Sequence, residues 1–311
     1  MSERPHIAIL SPLQPFFFDR LRTQFEVIDL SGSEFDSAAP LEPIRAVVVA
    51  GTKGITAAQV AAMPKLELVC CTGAGFDGVD FAATRARGIV VTHGPGLNDS
   101  TVADHSFALM LAVARGVVFL DGVVRAGQWM AHRQDRPTLS GMRLGIVGLG
   151  NIGRKIALRG AAFEMSIAYH TRTPRPDTPW QHYASALELA TNSDYLVLAC
   201  PGGPETRHLV NAPILAALGP RGVVINIARG SVIDTDALVH ALTHGFIAGA
   251  GLDVVDGEPA VPAALIACDN VVFTPHIAGR SPNAFRNLLE GLMANLEAHF
   301  GGRPVITPVP D

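Results

Sequence analysis

A glycine-rich loop in the middle of the chain has the spacing that binds a diphosphate. Residues 143–154 read RLGIVGLGNIGR, and a helical pattern, Asn151–Phe163, follows the apolar strand. In such a loop the first glycine permits a tight turn, the second lets a pyrophosphate approach the backbone, and the third lets helix and strand pack closely. Free N–H groups at the helix start attract the anion. We predict a dinucleotide site formed by Gly148, Leu149, Gly150, Asn151, Ile152 and Gly153.

The same glycine spacing occurs once more, at Gly73, Gly75 and Gly78. The bare pattern therefore does not decide where a cofactor binds, and its surroundings must do so. Only the later copy begins a series of six strand-like runs. We assign the cofactor to that copy and interpret the earlier one as a structural turn.

The residues after the next predicted strand distinguish the two nicotinamide cofactors. An NAD site carries Asp or Glu about twenty residues further on, where it accepts a hydrogen bond from the ribose 2′-hydroxyl. Here that position is Thr171, and no carboxylate follows before Asp177. Arg172 and Thr173 can instead bind a 2′-phosphate through charge-assisted hydrogen bonds. We expect NADP, with NAD possible; the alternative is that Arg172 and Arg175 are solvated loop charges.

Three charged side chains follow later strand-like runs, at the sheet edge where α/β proteins bind ligands. Arg229 ends the run INIAR, Glu258 lies in GLDVVDGEP, and His276 lies in TPHIAG. Considered alone, Arg229 could be a charge at a helix start, Glu258 a turn residue before proline, and His276 a loop histidine. Together, after a dinucleotide loop, they are candidates for an active site. The other histidines, including His93, His105, His132 and His208, have no comparable context, and we expect them to be structural.

The elements that must position these residues follow from hydrophobic periodicity. Short Val- and Ile-rich runs alternate with helix-period segments throughout, which is typical of parallel sheets covered on both faces. Four runs, 6–10, 46–50, 66–71 and 88–92, form a first sheet, and six, 144–147, 166–170, 195–199, 223–227, 248–253 and 271–274, form a second. The predicted fold class is α/β, with two Rossmann-like doubly wound parallel-sheet domains and a cleft between them.

The domain boundaries are expected at two predicted helices. Asp99–Arg115 is mostly apolar and leads out of the first domain, and Asn283–Phe300 returns to pack on it. We expect one domain over 1–98, completed by 281–311, and another over 99–280. A chain of 311 residues also exceeds the length of one usual core.

Composition excludes several kinds of partner. The formal charge is −4, without basic blocks or acidic tails, so we expect no nucleic acid partner. The longest apolar stretches are about eight residues, too short to span a membrane, and the first residues lack an export pattern. Four cysteines without metal-ligand spacing are interpreted as reduced structural residues, and no metal is expected. These features favour a cytoplasmic protein.

Several longer segments resemble one family. They are TGAGFDGVD at 72–80, LSGMRLGIVGLGNIG at 139–153, NSDYLVLACP at 192–201 with PET at 204–206, and the three charged segments. Over nearly the whole chain they resemble the D-isomer-specific 2-hydroxyacid dehydrogenases. Within this family, the loop with Arg172 and Thr173 and the segment Val102-Ala-Asp104 make the chain most similar to the NADP-dependent glyoxylate/hydroxypyruvate and hydroxyphenylpyruvate reductases.

The resemblance implies that NADPH reduces a small 2-oxo acid to a D-2-hydroxy acid. His276 would protonate the developing alkoxide, because its charge changes near neutral pH. Glu258 would orient the ring and favour imidazolium, and Arg229 would clamp the substrate carboxylate with its planar fork. Backbone N–H groups of Ala74 and Gly75 would bind the same carboxylate.

The resemblance also implies further contacts and an assembly. Cofactor contacts would include Pro201, Thr206, Ala228 and Asp253, the last near the nicotinamide amide. The first domain would bind substrate, the second would bind cofactor, and two chains would form a homodimer.

Two alternatives stay open. One is a dinucleotide-sensing binding protein of the same fold, like the C-terminal-binding-protein corepressors, although no tails of the kind that suit a scaffold are expected. The other is a family member that acts on a different 2-oxo acid with NADH. A phosphoglycerate dehydrogenase is disfavoured because no regulatory domain is expected after Asp311, and a formate dehydrogenase because Glu258 is present. The sequence does not rank the candidate oxo acids.

Overall fold

A computed structural model describes residues 4–32 and 41–310. These residues divide into two compact units, one drawn from Met1–Asn98 and Ser281–Asp311, the other from Asp99–Arg280. Each unit is built around one parallel sheet.

The first unit contains five strands and four helices within the described residues. The strands are β1 (His6–Ile9), β2 (Glu26–Asp29), β3 (Ile44–Val49), β4 (Leu68–Cys71) and β5 (Val90–Thr92), in the order β2-β1-β3-β4-β5. The helices are α1 (Pro15–Leu21), α2 (Ala57–Ala62), α3 (Phe81–Ala86) and α11 (Pro282–Phe300). Ala8 and Ile9 point into different apolar clusters, so the sheet is covered on both faces.

The second unit contains seven strands in the described residues. They are β6 (Arg143–Val147), β7 (Ser166–His170), β8 (Gln181–His182), β9 (Tyr195–Leu198), β10 (Val223–Asn226), β11 (Gly249–Leu252) and β12 (Val271–Phe273). The helices are α4 (Asp99–Arg115), α5 (Val117–Arg125), α6 (Asn151–Ala162), α7 (Ala186–Thr191), α8 (Ala212–Leu218), α9 (Thr235–Thr243) and α10 (Ala263–Ile266). All pairings between these strands are parallel. Successive residues of β9 pack alternately into two hydrophobic clusters, one on each face of the sheet.

The strand order creates a switch point between β6 and β9, in the middle of the second sheet. It reads β12-β11-β10-β9-β6-β7-β8, so the chain leaves β6 in one direction and returns to its other side through β9. Ligands of such sheets bind at the carboxyl ends of the strands beside this reversal. The predicted α/β class with two doubly wound parallel sheets is confirmed.

Three elements differ from the sequence-based prediction. Two short edge strands, β2 and β8, were not predicted, since β2 lies in a mixed polar segment and β8 has only two residues. The predicted helix over residues 99–115 was correct, but the chain then bends by 60° into α5. In the described ranges no single helix has both the length and the hydropathy of a membrane span, whereas α4 and α5 reach both together as a bent pair.

Candidate active site

The glycine loop after β6 forms a backbone cradle at the switch point. Gly148 has φ +94°, and a Cβ there would come within 2.7 Å of Ala199 O. A Cβ on Gly153 would come within 2.1 Å of Gly148 O, so the third glycine is needed for close packing of α6. Space above Gly150 is open, with no atom within 4 Å of an added Cβ. Gly150 caps α6 without a side chain, which leaves the helix N–H groups to an anion, so the loop fits a dinucleotide pyrophosphate.

The loop after β7 is held at both ends. Tyr169 Oη accepts from Arg175 N at 2.8 Å and lies 3.2 Å from Arg175 O. His182 Nε2 donates to Thr171 O at 3.0 Å, and Thr171 Oγ1 donates to Thr173 O at 2.7 Å. The Arg172 side chain extends into solvent, where Nη1 lies 2.5 Å from Glu205 Oε2. The loop therefore presents an arginine on a fixed backbone.

Asp253, directly after β11, organises the loop that carries His276. Its carboxylate is buried and accepts from Thr274 Oγ1 at 2.6 Å, from Ile277 N at 2.9 Å and from Ala278 N at 2.9 Å. Burial alone would raise the pKa of this carboxyl, but the hydrogen bonds from His105, Thr274 and the two amides outweigh it and lower the pKa. Asp253 therefore stays ionised and fixes the segment 274–278.

His105 completes this network from helix α4. Its Nε2 lies 2.8 Å from Thr274 Oγ1 and 3.5 Å from Asp253 Oδ1. Because the Thr274 hydroxyl donates to Asp253, it accepts from His105, so Nε2 carries a proton. His105 was predicted to be structural, and the structure shows that it supports the loop that carries His276.

His276 and Glu258 are in direct contact. His276 Nδ1 lies 2.5 Å from Glu258 Oε1, and both side chains remain partly exposed. They line a cavity of about 430 Å³ together with Asp253, Thr274 and Phe273. A carboxylate on Nδ1 fixes the tautomer of the ring and leaves Nε2 for proton exchange.

Arg229 follows β10, whose carboxyl end lies beside that of β11. The buried Asn226 shapes this turn, because its Nδ2 donates to Arg229 O at 2.9 Å and its Oδ1 accepts from Ala228 N at 3.0 Å. The guanidinium Nη1 donates to Ala228 O at 2.7 Å. The side chain packs across Gly202, where a Cβ would come within 2.6 Å of Arg229 Cγ. A residue with a side chain at position 202 would displace the arginine.

The remaining predicted cofactor residues lie on the same edge of the second sheet. Thr206 Oγ1 donates to Pro201 O at 2.8 Å, which closes the turn after β9, and Ala228 is buried beside Arg229. Within the residues that the structure describes, no group of three His, Cys, Asp or Glu side chains is arranged to hold a metal.

The predicted carboxylate loop, Ala74 and Gly75, follows β4 in the first unit. The turn at Gly51–Gly54 packs against it backbone to backbone: a Cβ on Gly51 would come within 1.7 Å of Gly75 O, and one on Gly54 within 1.7 Å of Gly78 O. His93 Nδ1 lies 2.9 Å from Ala74 O. This contact was also missed, since sequence spacing alone does not reveal that the ends of β4 and β5 adjoin.

Comparison with known proteins gives consistent matches. A family model described as "D-isomer specific 2-hydroxyacid dehydrogenase, NAD binding domain" matches residues 107–278. A hydroxyphenylpyruvate reductase from Plectranthus scutellarioides is 43% identical over 273 residues, covering 88% of this chain and 87% of that protein. A glyoxylate/hydroxypyruvate reductase from Arabidopsis thaliana is 38% identical, covering 99% of this chain and 98% of that protein.

A solved structure matches over a similar length. It is an NADPH-dependent glyoxylate/hydroxypyruvate reductase from Sinorhizobium meliloti in complex with NADP and malonate. The TM-score is 0.93 at 38% identity, and the match covers 99% of this chain and 97% of that one.

Proposed function

The chain belongs to the D-isomer-specific 2-hydroxyacid dehydrogenase family, and we propose that it reduces a small 2-oxo acid of the glyoxylate or hydroxypyruvate type with NADPH, giving a D-2-hydroxy acid. The family resemblance predicted from the sequence is confirmed. The observation that carries the proposed reaction is the 2.5 Å contact of His276 with Glu258, in the unit that also holds the glycine cradle.

The proton step belongs to His276 and Glu258. When bound, the reduced nicotinamide supplies a hydride to C2 of the oxo acid. Oxygen then develops negative charge and needs a proton. Nδ1 of His276 donates to Glu258, so Nε2 is the nitrogen that can give this proton, and the adjacent carboxylate fixes the ring in that orientation.

Carboxylate recognition belongs to Arg229 with Ala74 and Gly75. The planar guanidinium can serve both a carboxylate oxygen and the oxo group, and two backbone N–H groups can bind the other carboxylate oxygen. In this proposal the unit of residues 1–98 and 281–311 binds substrate, and the unit of 99–280 binds cofactor. Asp253 serves the nicotinamide amide from the position where it also holds the His276 loop.

The preference for NADPH rests on the loop after β7. Thr171 stands where an NAD enzyme needs a carboxylate, and Arg172 projects beside it from a fixed backbone. The contact of Arg172 with Glu205 joins two highly exposed groups, and such pairs contribute at most about 1 kcal/mol. The arginine can therefore exchange this carboxylate for a 2′-phosphate dianion.

A homodimer in the cytoplasm is also part of the proposal. Large apolar side chains are exposed on α5 and the segment after it, namely Val117, Val118, Phe119, Val124, Trp129 and Met130. Exposed apolar surface of this kind suits a second copy. Burial raises the pKa of Cys70 and Cys71 to about 12, which keeps both as unreactive thiols, as expected in a reducing compartment.

Light scattering tests the dimer. The wild-type chain should have twice its monomer mass, and Phe119→Glu should reduce this toward the monomer. Phe246→Glu, at another exposed phenylalanine, is the matched control and should stay dimeric. A monomeric wild type would contradict the dimer without affecting the proposed reaction.

The proposed reaction is tested by following NADPH oxidation with a panel of 2-oxo acids, and then with NADH. Turnover with glyoxylate or hydroxypyruvate is expected, and Arg229→Lys should lower kcat/KM about a hundredfold while NADPH still binds, since lysine lacks the fork. A wild-type protein that binds NADPH but reduces no 2-oxo acid would instead support the corepressor-like alternative.

A further inference from the structure

The imidazole of His93 is bound to the loop that carries Ala74 and Gly75. His93 follows β5, and its Nδ1 lies 2.9 Å from Ala74 O. A carbonyl oxygen can only accept, so Nδ1 carries the proton and donates it. The ring also stands perpendicular to Phe76, at 5.2 Å between centroids and 87° between planes. These two contacts fix both the position and the tautomer of the ring.

The hydrogen bond on Ala74 O sets the direction of the next N–H group. Ala74 C=O and Gly75 N–H belong to one planar peptide unit and, in a trans peptide, point in opposite directions. Gly75 N–H therefore points away from His93. In the described part of the chain this N–H finds no acceptor, whereas the neighbouring Gly73 O accepts from Gly94 N. A donor without a partner, held in one direction on a braced loop, suits an anionic ligand.

His93 is itself held by the C-terminal segment. Its N–H donates to Thr307 O at 3.1 Å, and Thr307 Oγ1 donates to His93 O at 2.6 Å. Thr307 in turn rests on Asn295, a buried residue of α11 whose Oδ1 accepts from Ile306 N at 2.9 Å and Thr307 N at 3.1 Å. A continuous set of hydrogen bonds thus runs from α11 through Thr307 and His93 to Ala74.

We propose that His93 is a positioning residue that aims Gly75 N–H at the substrate carboxylate, and that Thr307 holds His93 in place for this purpose. The inference rests on the proposed function, which puts a substrate carboxylate on Ala74 and Gly75. The ring of His93 acts on the substrate through the loop, at Ala74 and Phe76, so it should affect substrate affinity far more than turnover.

The experiment compares His93→Leu with His93→Asn. Leucine removes the donor, and KM for the 2-oxo acid and Ki for oxamate should both rise about tenfold while kcat and NADPH affinity stay near wild type, because the lost contact serves substrate and transition state alike. Asparagine places an amide N–H near the position of Nδ1, so both constants should stay within about threefold of wild type. Thr307→Val should shift both constants in the same direction as leucine, by a smaller factor.

Several outcomes would overturn the inference. One is a leucine variant with unchanged KM and Ki; another is a leucine variant whose kcat and NADPH affinity fall with its substrate affinity; a third is no rescue by asparagine. If His93→Leu does not fold, the other two variants still test the inference. Unchanged KM and Ki in Thr307→Val would contradict it, and so would a tenfold rise of both constants in His93→Asn. If the wild type neither reduces 2-oxo acids nor binds oxamate, the proposed function itself is wrong.

Discussion

His276 occupies an unusual backbone conformation that the surrounding loop maintains. Its φ is +52°, in the left-handed region that few residues other than glycine adopt. The His276 N–H donates to Asp253 O at 2.8 Å and lies 3.0 Å from Thr274 O. Such a conformation persists only where neighbouring contacts enforce it, and it is common at functional sites. At this residue it brings the imidazole to Glu258 rather than leaving it as a flexible loop side chain.

The contact with Glu258 leads to a prediction about proton transfer. Glu258→Gln keeps the size of the side chain but removes the carboxylate that accepts from His276 Nδ1, so kcat for reduction should fall about ten- to a hundredfold at saturating NADPH. His276→Ala should lower the rate about 10²–10⁴-fold while NADPH still binds. An unchanged kcat in the glutamine variant would contradict the role of Glu258.

Arg172 leads to a prediction about cofactor choice. Hydrogen bonds to a charged group contribute about 1.5–3 kcal/mol, so Arg172→Ala should lower kcat/KM with NADPH about ten- to a hundredfold and affect NADH much less. Arg221→Ala, an exposed arginine just before β10 at the other edge of the sheet, is the matched control. Equal losses with both cofactors would remove Arg172 from the 2′-phosphate site.

At the scale of elements, the Thr274 hydroxyl links the segment 274–278 both to α4 and to Asp253, the residue after β11. Thr274 Oγ1 donates to Asp253 and accepts from His105. Thr274→Val keeps the shape but removes the hydroxyl and leaves His105 Nε2 without this partner. We expect a loss of about 1–3 kcal/mol in stability and roughly tenfold in kcat, as the imidazole loses its fixed position. Thermal unfolding and reduction kinetics check both.

Thr243→Val is the matched control for that substitution. Thr243 Oγ1 donates only to the carbonyls of its own helix, Val239 O and His240 O, besides its contact with His244. The control variant should keep wild-type kcat. If Thr274→Val also keeps it, the network does not position His276, whatever it contributes to stability.

The sequence predicted elements better than contacts between them. Periodicity predicted the helix over residues 99–115 and ten of the strands, because long apolar patterns are local. It missed β2 and β8, which are short edge strands with little apolar signal. Glu258 and His276 were predicted as partners only through family resemblance, and His105, 169 residues from Thr274, had no local signal at all. Tertiary contacts of this kind follow from strand order, which residue spacing does not encode.

At the scale of the whole molecule, the candidate site and a stabilising ion pair lie at opposite ends of the strands in the second sheet. The candidate site residues follow the carboxyl ends of the strands. At the other end, Arg143 begins β6 and Asp194 precedes β9. The Asp194 carboxylate accepts from Arg143 N at 2.8 Å, Nη2 at 2.8 Å and Nε at 3.2 Å, which joins the two central strands where they begin.

Acid should therefore weaken the fold through Asp194 in a predictable range. The hydrogen bonds from Arg143 outweigh partial burial and lower the pKa of the Asp194 carboxyl below its ordinary value, which is about 3.9 for an unfolded chain. A lowered pKa means that the stabilisation is fully present above about pH 4 and is lost as pH falls through the folded-state value. Asp194→Asn should thus lower the apparent Tm most near neutral pH, and its difference from wild type should shrink as pH falls below about 4. Asp104→Asn, in a more exposed pair with Arg159, is the control and should change Tm little at any pH. Circular dichroism melts from pH 7 to pH 3 measure these differences, and a constant difference for Asp194→Asn across that range would show that its charge does not stabilise the sheet.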